Sequence, residues 1–182
     1  GFLDAALAYA TRGWAVFPLK PGGKAPLTAH GFKDATTDAE RIRAWWAEHP
    51  TANIGLCTGK ASGVVVLDVD RHGKDDGEAS LQELQKEFGR LPPTCEVLTP
   101  NGGRHFYFAH SNGEIKGRNN LRPGIDIKAE GGYVVAPPSA LEGASQPYAQ
   151  RNGDAMSPLP AWLLDHASRT ASRPTPPAAP RR

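Results

Sequence analysis

The stretch Val64-Val65-Val66-Leu67-Asp68-Val69-Asp70 decides how this chain folds. It is β-branched and almost wholly apolar, which predicts a buried strand over residues 63–70. Strand side chains alternate between faces, so Asp68 and Asp70 share one face while Leu67 and Val69 point into the opposite layer. Two carboxylates at the end of a buried strand repel each other unless a cation joins them. The pair therefore indicates a site for Mg²⁺ or a similar hard cation; the alternative is a solvated strand end before a polar loop.

Two later stretches repeat this alternation of an apolar and an ionisable side. In Gly103-Arg104-His105-Phe106-Tyr107-Phe108 the histidine and the tyrosine share one face, and the arginine should point to the other. In Gly124-Ile125-Asp126-Ile127-Lys128 the aspartate and the lysine lie opposite two isoleucines. A single strand histidine is more often structural than functional. If the three strands are neighbours, however, three carboxylates and a histidine gather on one surface, which suits two cations and a triphosphate.

Helical and extended patterns alternate along the chain. Helical periodicity predicts helices over residues 2–12 and 78–88 and around 161–166. A further helix is predicted to begin at the capping box Thr37-Asp38-Ala39-Glu40 and to end near Pro50. Strands are predicted over 14–19, 53–57, 63–70, 95–99, 104–108, 124–128 and 133–136. Helices between strands at the start, followed mostly by strands, predict an α+β fold.

Composition narrows the classes of function. The net charge is only +2, so contact with nucleic acid has to come from local basic patches. No apolar run approaches the ~20 residues that span a bilayer, and no secretory signal opens the chain. Cys57 and Cys95 lack metal-ligand or disulfide spacing, which favours two small buried hydrophobes in a reducing cytosol. We therefore expect a cytoplasmic protein.

The chain divides into a folded unit and a tail. We expect one domain over residues 1–166 and a Pro/Ala/Arg-rich linker over 167–182. Because the chain begins at Gly1 without an initiator methionine, we expect it to be part of a larger protein.

The order of these motifs resembles a known family. Asp68-Val69-Asp70, Gly102-Gly103-Arg104-His105, Ile125-Asp126 and the GGYVVAPPS stretch at 131–139 follow one another as in the bifunctional primase–polymerase (prim-pol) domain of the archaeo-eukaryotic primase superfamily. The similarity covers roughly residues 3–150 and includes WAVFPL at 14–19, GKAP at 23–26, GFKDATTD at 31–38, Trp45-Trp46 and Asn53-Ile54-Gly55. It implies a sheet module related to the RNA-recognition fold that bears the acids, packed against an amino-terminal α/β module.

The resemblance also implies roles for the motif residues. Asp68, Asp70 and Asp126 would be the catalytic residues and hold two Mg²⁺ or Mn²⁺ ions, and His105 would contact the phosphates of the incoming nucleotide. The superfamily's histidine motif is usually Ser-x-His, and Gly103 stands at the serine position. One phosphate contact is therefore either lost or taken over by backbone N–H groups of the turn at 102–103.

Four further side chains are candidates for nucleotide contact. Lys128 and Lys24 would offset charge on the triphosphate, although Lys24 could equally be a solvated loop lysine. Arg104 follows the glycine pair, but its side chain is expected to point to the face opposite His105, which leaves its role open. Ser139 ends a Pro-Pro-Ser turn, where serines usually satisfy the backbone.

The implied reaction is templated nucleotidyl transfer in DNA replication. A primer 3′-hydroxyl would attack the α-phosphorus of a nucleoside triphosphate and release pyrophosphate. Lys116, Arg118 and Arg122 lie in a Gly/Asn/Pro-rich loop that could track single-stranded DNA, or could simply be a soluble loop. By family analogy, a helicase domain would follow the linker.

Two other functions fit parts of the sequence. A haloacid-dehalogenase-type phosphatase would use Asp68 as nucleophile and Asp70 as acid. It expects Thr or Val two residues past the second aspartate, where His72 stands, and leaves His105 and Asp126 without a role. A nucleic-acid-binding module that has kept the fold and lost catalysis is the non-enzymatic alternative.

Overall fold

The computed structural model describes residues 1–110 and 113–168. The helices are α1 (Phe2–Thr11), α2 (Ala39–Glu48), α3 (Gly77–Phe88) and α4 (Ala161–Ser168), with a 3₁₀ turn at Gly31–Asp34. The strands are β1 (Val16–Leu19), β2 (Asn53–Cys57), β3 (Val64–Val69), β4 (Arg71–His72), β5 (Asp75–Asp76), β6 (Cys95–Leu98), β7 (Arg104–Ala109), β8 (Arg118–Arg122), β9 (Ile125–Lys128), β10 (Tyr133–Ala136), β11 (Ala149–Gln150) and β12 (Ser157–Pro158). Most of the expected linker, residues 169–182, lies outside the described residues.

The strands form two main sheets. The small sheet has the order β1-β2-β10 and is antiparallel throughout. The large sheet has the order β11-β6-β7-β3-β9-β8, and β12 pairs in parallel with the last two residues of β7. Strands β4 and β5 pair as a separate short hairpin. Helices combined with antiparallel sheets confirm the predicted α+β fold.

Strand β3 lies in the middle of the large sheet, between β7 and β9 and antiparallel to both. Helix α3 follows it and packs behind the sheet through Leu81 and Leu84. Strands β6, β7, β3 and β9 with α3 therefore form one module, which carries the acids as the resemblance implied. The small sheet, α1 and α2 form the amino-terminal module against it.

Two hydrophobic cores cover the two faces of β3. On the back face, Val65, Leu67 and Val69 pack with residues of α3 and α4. On the front face, Val64 and Val66 share a core with the small sheet, α1 and α2. Each fully buried valine or leucine contributes about 1.5–3 kcal/mol. The front face of β3 is therefore apolar along most of its length and becomes polar only near the end of the strand.

The local structure differs from the sequence prediction at three places. The segment after Asp70, expected to be a loop, contains the β4–β5 hairpin, and the basic loop before Asp126 contains β8. Helix α2 is capped by Asp38 rather than Thr37, because Asp38 Oδ1 accepts hydrogen bonds from the N–H groups of Glu40 and Arg41.

Within residues 1–110 and 113–168, no helix has the length and apolar character needed to cross a membrane.

Arg104 ties the back of the large sheet to α3. Its guanidinium donates two hydrogen bonds to Glu78, at 2.7 and 2.6 Å, and one to Glu96 at 2.8 Å. It also lies over the ring of Phe106, 4.7 Å from the centroid. These hydrogen bonds join a charged guanidinium group to partly buried carboxylates, and such charge-assisted hydrogen bonds are stronger than neutral ones.

We expect Arg104→Ala to lower the free energy of unfolding by about 2–3 kcal/mol, because it leaves two partly buried carboxylates without this partner. Urea denaturation measures the change. Arg43→Ala, at an exposed position of α2, is the matched control and should change stability by less than about 0.5 kcal/mol. Equal effects of the two substitutions would contradict the structural role of Arg104.

Candidate active site

Three ionisable side chains stand in one row across the large sheet. The antiparallel register pairs Asp68 of β3 with His105 of β7 on one side and with Asp126 of β9 on the other. Residues paired in this way point to the same face of a sheet. We call His105, Asp68 and Asp126 the polar row. The polar row lies on the front face of the large sheet, next to the part that the small sheet covers.

Asp68 is the central member of the polar row. Its Oδ1 lies 3.4 Å from His105 Nε2, which is within ion-pair range but long for a hydrogen bond. Among the described residues, this buried oxygen has no well-formed hydrogen-bond partner. Burial raises the pKa of Asp68, but contact with His105 and the charges of Lys128 and Lys24 together outweigh it, so the pKa lies below its ordinary value of 3.8. Asp68 is therefore ionised at neutral pH.

Asp126 has a defined set of partners. Its Oδ1 accepts a hydrogen bond of 2.8 Å from the N–H of Asn120, and its Oδ2 lies 3.3 Å from Lys128 Nζ. Asn120 adopts a positive φ of 53° where the pairing of β8 with β9 becomes irregular. This bulge aims the Asn120 N–H at the carboxylate. Strand β8, which was expected to be a loop, thus orients Asp126.

Asp70 follows β3 directly and is surrounded by close-packed backbone. Its N–H donates to the carbonyl of Gly124 and its carbonyl accepts from the N–H of Gly77, at 2.8 and 2.9 Å. A Cβ atom on Gly77 would lie only 2.4 Å from the carbonyl oxygen of Asp70. Burial raises the pKa of Tyr148 most, and the charges of Asp68 and Asp70 raise it further. Both carboxylates therefore lie near enough to Tyr148 to affect the pKa of its hydroxyl.

The structure gives a steric reason for glycine at position 103. A Cβ atom there would lie 2.5 Å from the carbonyl oxygen of Val69 and 2.9 Å from Thr99 Oγ1. The N–H of Gly103 donates to Thr99 Oγ1, and the N–H of Gly102 donates to the Thr99 carbonyl. Both N–H groups are thus engaged within the turn. This arrangement does not support the expected contact between the turn and a phosphate.

We expect Gly103→Ser to destabilise the chain by about 1–3 kcal/mol, because the new side chain has to displace strand backbone. Gly153→Ser is the control, since a Cβ atom at that position meets no described atom within 4 Å. Thermal or urea unfolding of both variants measures the difference. If Gly103→Ser were as stable as the control, the proposed steric limit would be wrong.

A cavity of about 750 Å³ opens beside the polar row, between the two sheets. The large sheet contributes Asp68, His105 and Lys128 to its wall, and the small sheet contributes 133–135. Further charged groups of both signs line the cavity, which are Lys24, Lys116, Glu114 and Glu130. The cavity thus combines carboxylates, cationic side chains and a buried histidine within one concave space.

Comparison with known protein families agrees with this geometry. The family described as bifunctional DNA primase/polymerase, N-terminal, matches residues 6–162. The chain belongs to this family. The match includes both sheets, the polar row and the residues that line the cavity, and it confirms the resemblance drawn from the motifs. A search among curated proteins finds no match.

Two tyrosines of this prim-pol domain lie at the cavity without having been predicted there. Tyr148 is only 3% exposed, and its ring centroid lies 5.9 Å from that of His105. Tyr133 begins β10 and lines the cavity wall. Tyr148 lies in an irregular segment without periodicity, so its sequence context carried no signal. Tyr133 was visible within the GGYVVAPPS stretch, but nothing indicated which way it points.

Two of the predicted nucleotide ligands lie elsewhere in the prim-pol domain. Arg104 points to the back face, where Glu78 and Glu96 bind it. Ser139 is completely buried, and its Oγ accepts a hydrogen bond of 2.8 Å from the N–H of Ile54. It holds the residues after β10 to the start of β2. Neither side chain reaches the cavity, because each forms hydrogen bonds with a partner elsewhere in the fold.

The three basic residues predicted to contact DNA separate in space. Lys116 lines the cavity. Arg118 donates to the carbonyl of His166 in α4 at 3.3 Å, and Arg122 lies 3.6 Å from Glu87 of α3. The arginines thus lean towards the helices behind the sheet, so only Lys116 lies at the polar row's cavity.

The donor set of the prim-pol domain fits a divalent cation in one respect. The buried Asp68 Oδ1, which lacks a hydrogen-bond partner among the described residues, is a hard oxygen of the kind that Mg²⁺ takes. Across residues 1–110 and 113–168, no three His, Cys, Asp or Glu side chains come together as a group that could hold a metal ion. Mg²⁺ commonly needs only one or two carboxylates because substrate phosphates and water supply its other ligands. The site therefore suits a cation that binds together with a phosphate.

Proposed function

We propose that the chain is a template-dependent nucleotidyltransferase that joins nucleotides from (d)NTPs to a primer on single-stranded DNA. The observation that carries this proposal is the row His105–Asp68–Asp126, of which His105 and Asp68 line a cavity together with Lys24 and Lys128. Carboxylates for cations and lysines for phosphates are the parts that phosphoryl-group transfer requires. Membership of the prim-pol family points to the same class of reaction.

Asp68, Asp70 and Asp126 would hold two Mg²⁺ or Mn²⁺ ions. Bound divalent ions supply charge neutralisation for the attacking and leaving oxygens in this class of reaction. Asp68 is ionised in the free chain and needs no deprotonation before it binds a cation. Asp126 is paired with Lys128, so a cation would replace the lysine on that carboxylate and free it for phosphate.

The cationic side chains would bind the triphosphate. Lys24 and Lys128 both act electrostatically on Asp68, so both charges lie near the point where phosphate and carboxylates meet. The buried His105 Nδ1 has no hydrogen-bond partner among the described residues, and His105 Nε2 makes only the long contact with Asp68. The imidazole can therefore turn its donor to a phosphate oxygen at little cost in existing hydrogen bonds.

The proposed reaction is an in-line nucleotidyl transfer. The primer 3′-oxygen forms a bond to the α-phosphorus, the bond from that phosphorus to the bridging oxygen breaks, and pyrophosphate leaves in line. The hydroxyl proton passes to solvent or to a carboxylate of the site. Positioning and charge stabilisation by the protein account for most catalysis in phosphoryl transfer. Lys116, which lines the cavity, is the basic side chain best placed to contact the template backbone.

We expect wild-type chain to extend a labelled DNA primer on a template with Mn²⁺ or Mg²⁺, and the doubly substituted Asp68→Ala/Asp70→Ala chain to lose at least about 100-fold in rate. Asp126→Asn should lose activity as well, and EDTA should abolish extension by wild type. Gel analysis of the extension products measures these rates. Asp165→Asn, at an exposed position of α4, is the matched carboxylate control and should extend like wild type.

The same assay separates the other two functions. A phosphatase would hydrolyse a chromogenic phosphate ester, trap phosphate covalently on Asp68 and fail to extend primers. A catalytically silent module would bind DNA and do neither. Extension that survives the Asp68→Ala/Asp70→Ala substitutions would place the reaction elsewhere in the chain and contradict the proposal.

We expect Lys24→Ala and Lys128→Ala each to raise the KM for dNTP by about tenfold or more, because each removes a cation worth roughly 1.4 kcal/mol or more beside the triphosphate. Steady-state primer extension at varied dNTP concentration measures this. Lys86→Ala, at an exposed position of α3, should leave KM unchanged. If KM were the same in all three variants, the phosphates would bind outside this cavity.

We propose the wider setting by analogy alone. The family takes its description from N-terminal domains, and a helicase domain beyond a linker at 167–182 would supply unwound template. We propose that the protein works in the cytoplasm, where DNA and nucleoside triphosphates are available. The domain itself would be formed by residues 1–166, with α4 continuing to Ser168.

A further inference from the structure

Two aromatic rings at the cavity have no part in the chemistry described so far. Phe32 lies in the 3₁₀ turn after β1, and Tyr133 is the first residue of β10. Both line the cavity, and both are partly exposed. Their ring centroids are 6.4 Å apart, with planes inclined by 30°. We call Phe32 and Tyr133 the aromatic pair.

The aromatic pair is held rigidly. The Tyr133 ring packs edge-on against Phe17 of β1 at 5.1 Å, and its hydroxyl donates a hydrogen bond of 2.9 Å to the carbonyl of Lys24. The turn that carries Phe32 is closed by Asp34, whose carboxylate accepts from the N–H of His30 at 2.9 Å. Rings fixed in this way lose little conformational freedom when a ligand covers them.

The geometry of the aromatic pair selects a mode of contact. A planar ligand inserted between two rings needs about 7 Å between parallel planes, since each contact takes 3.5 Å or more. The pair is closer than that and is inclined, so it cannot sandwich a ligand. It instead presents a continuous apolar surface to the cavity, on which one planar group can stack from one side.

The position of the pair fits one end of a nucleotide. Lys24 connects the two regions, because its backbone carbonyl binds Tyr133 while its charge acts on Asp68. Lys128 likewise acts electrostatically on both Tyr133 and Asp68. A ligand with phosphates at these lysines would therefore carry its remaining part against the aromatic pair. A flat, apolar surface in a cavity that also carries charged side chains suits a nucleobase.

We propose that Phe32 and Tyr133 form the stacking surface for the base of the incoming nucleoside triphosphate, a proposal that rests on the proposed nucleotidyl transfer. Every nucleobase offers a π-face, so this surface binds all four bases, and purines more tightly than pyrimidines because they cover more of it. Choice among bases is left to pairing with the template. The surface thus contributes affinity without sequence preference.

The test compares dATP with inorganic tripolyphosphate by calorimetric titration of the whole chain in Mg²⁺ without DNA. We expect wild type to bind dATP more tightly than tripolyphosphate. Phe32→Leu and Tyr133→Leu keep apolar bulk but remove the ring, and should weaken dATP binding at least about fivefold while leaving tripolyphosphate binding unchanged. Tyr133→Phe keeps the ring and should bind dATP nearly as wild type does.

Phe88→Leu is the matched control, since Phe88 is 37% exposed and packs with Trp162 away from the cavity. It should leave both affinities unchanged, and circular dichroism should show all variants folded. Unchanged dATP affinity in Phe32→Leu and Tyr133→Leu overturns the stacking surface, as does an equal loss for both ligands. If wild type binds dATP no more tightly than tripolyphosphate, the stacking inference alone is overturned. Wild type that binds neither ligand overturns the proposed function as well.

Discussion

The register of β3 between β7 and β9 is the constraint on which the rest of the structure depends. A slip by one residue would turn Asp68 into the back core and Leu67 towards the cavity. The back core formed with α3 and α4 resists this, because an unpaired carboxylate buried among leucines costs several kcal/mol. The packing that stabilises the fold therefore also aligns Asp68 with His105 and Asp126.

Charge balance within the cavity explains how a nearly neutral chain can offer a site for a highly charged ligand. The carboxylates of the polar row and the lysines lie close enough to influence each other, as the lowered pKa of Asp68 indicates. The charge of each group is thus partly balanced before a ligand binds. A cation and a triphosphate arriving together add charges of opposite sign, so neither leaves an uncompensated charge in the partly buried space.

Periodicity predicted the main helices and strands, the α+β class and the polar side of each strand that carries Asp68, His105 or Asp126, because alternation along a strand is a local property. It could not predict that Val64 and Val66 are covered by a second sheet, since this depends on contacts between distant segments. The placement of Arg104 and Ser139 could not be predicted for a similar reason: it depends on contacts with Glu78, Glu96 and Ile54 that only the folded chain makes. The strand β8, with its bulge at Asn120, carried no apolar alternation to reveal it.

The front core has a consequence for how the molecule can move. Val64 and Val66, from the strand that bears Asp68, are buried in the same core as Ile42 and Trp46 of α2 and the strands of the small sheet. Separating the two sheets at the cavity would expose that core to water, so we expect the two sheets to move as one unit. The cavity's width is then a fixed property of the fold, and a ligand has to match the space that packing has already set.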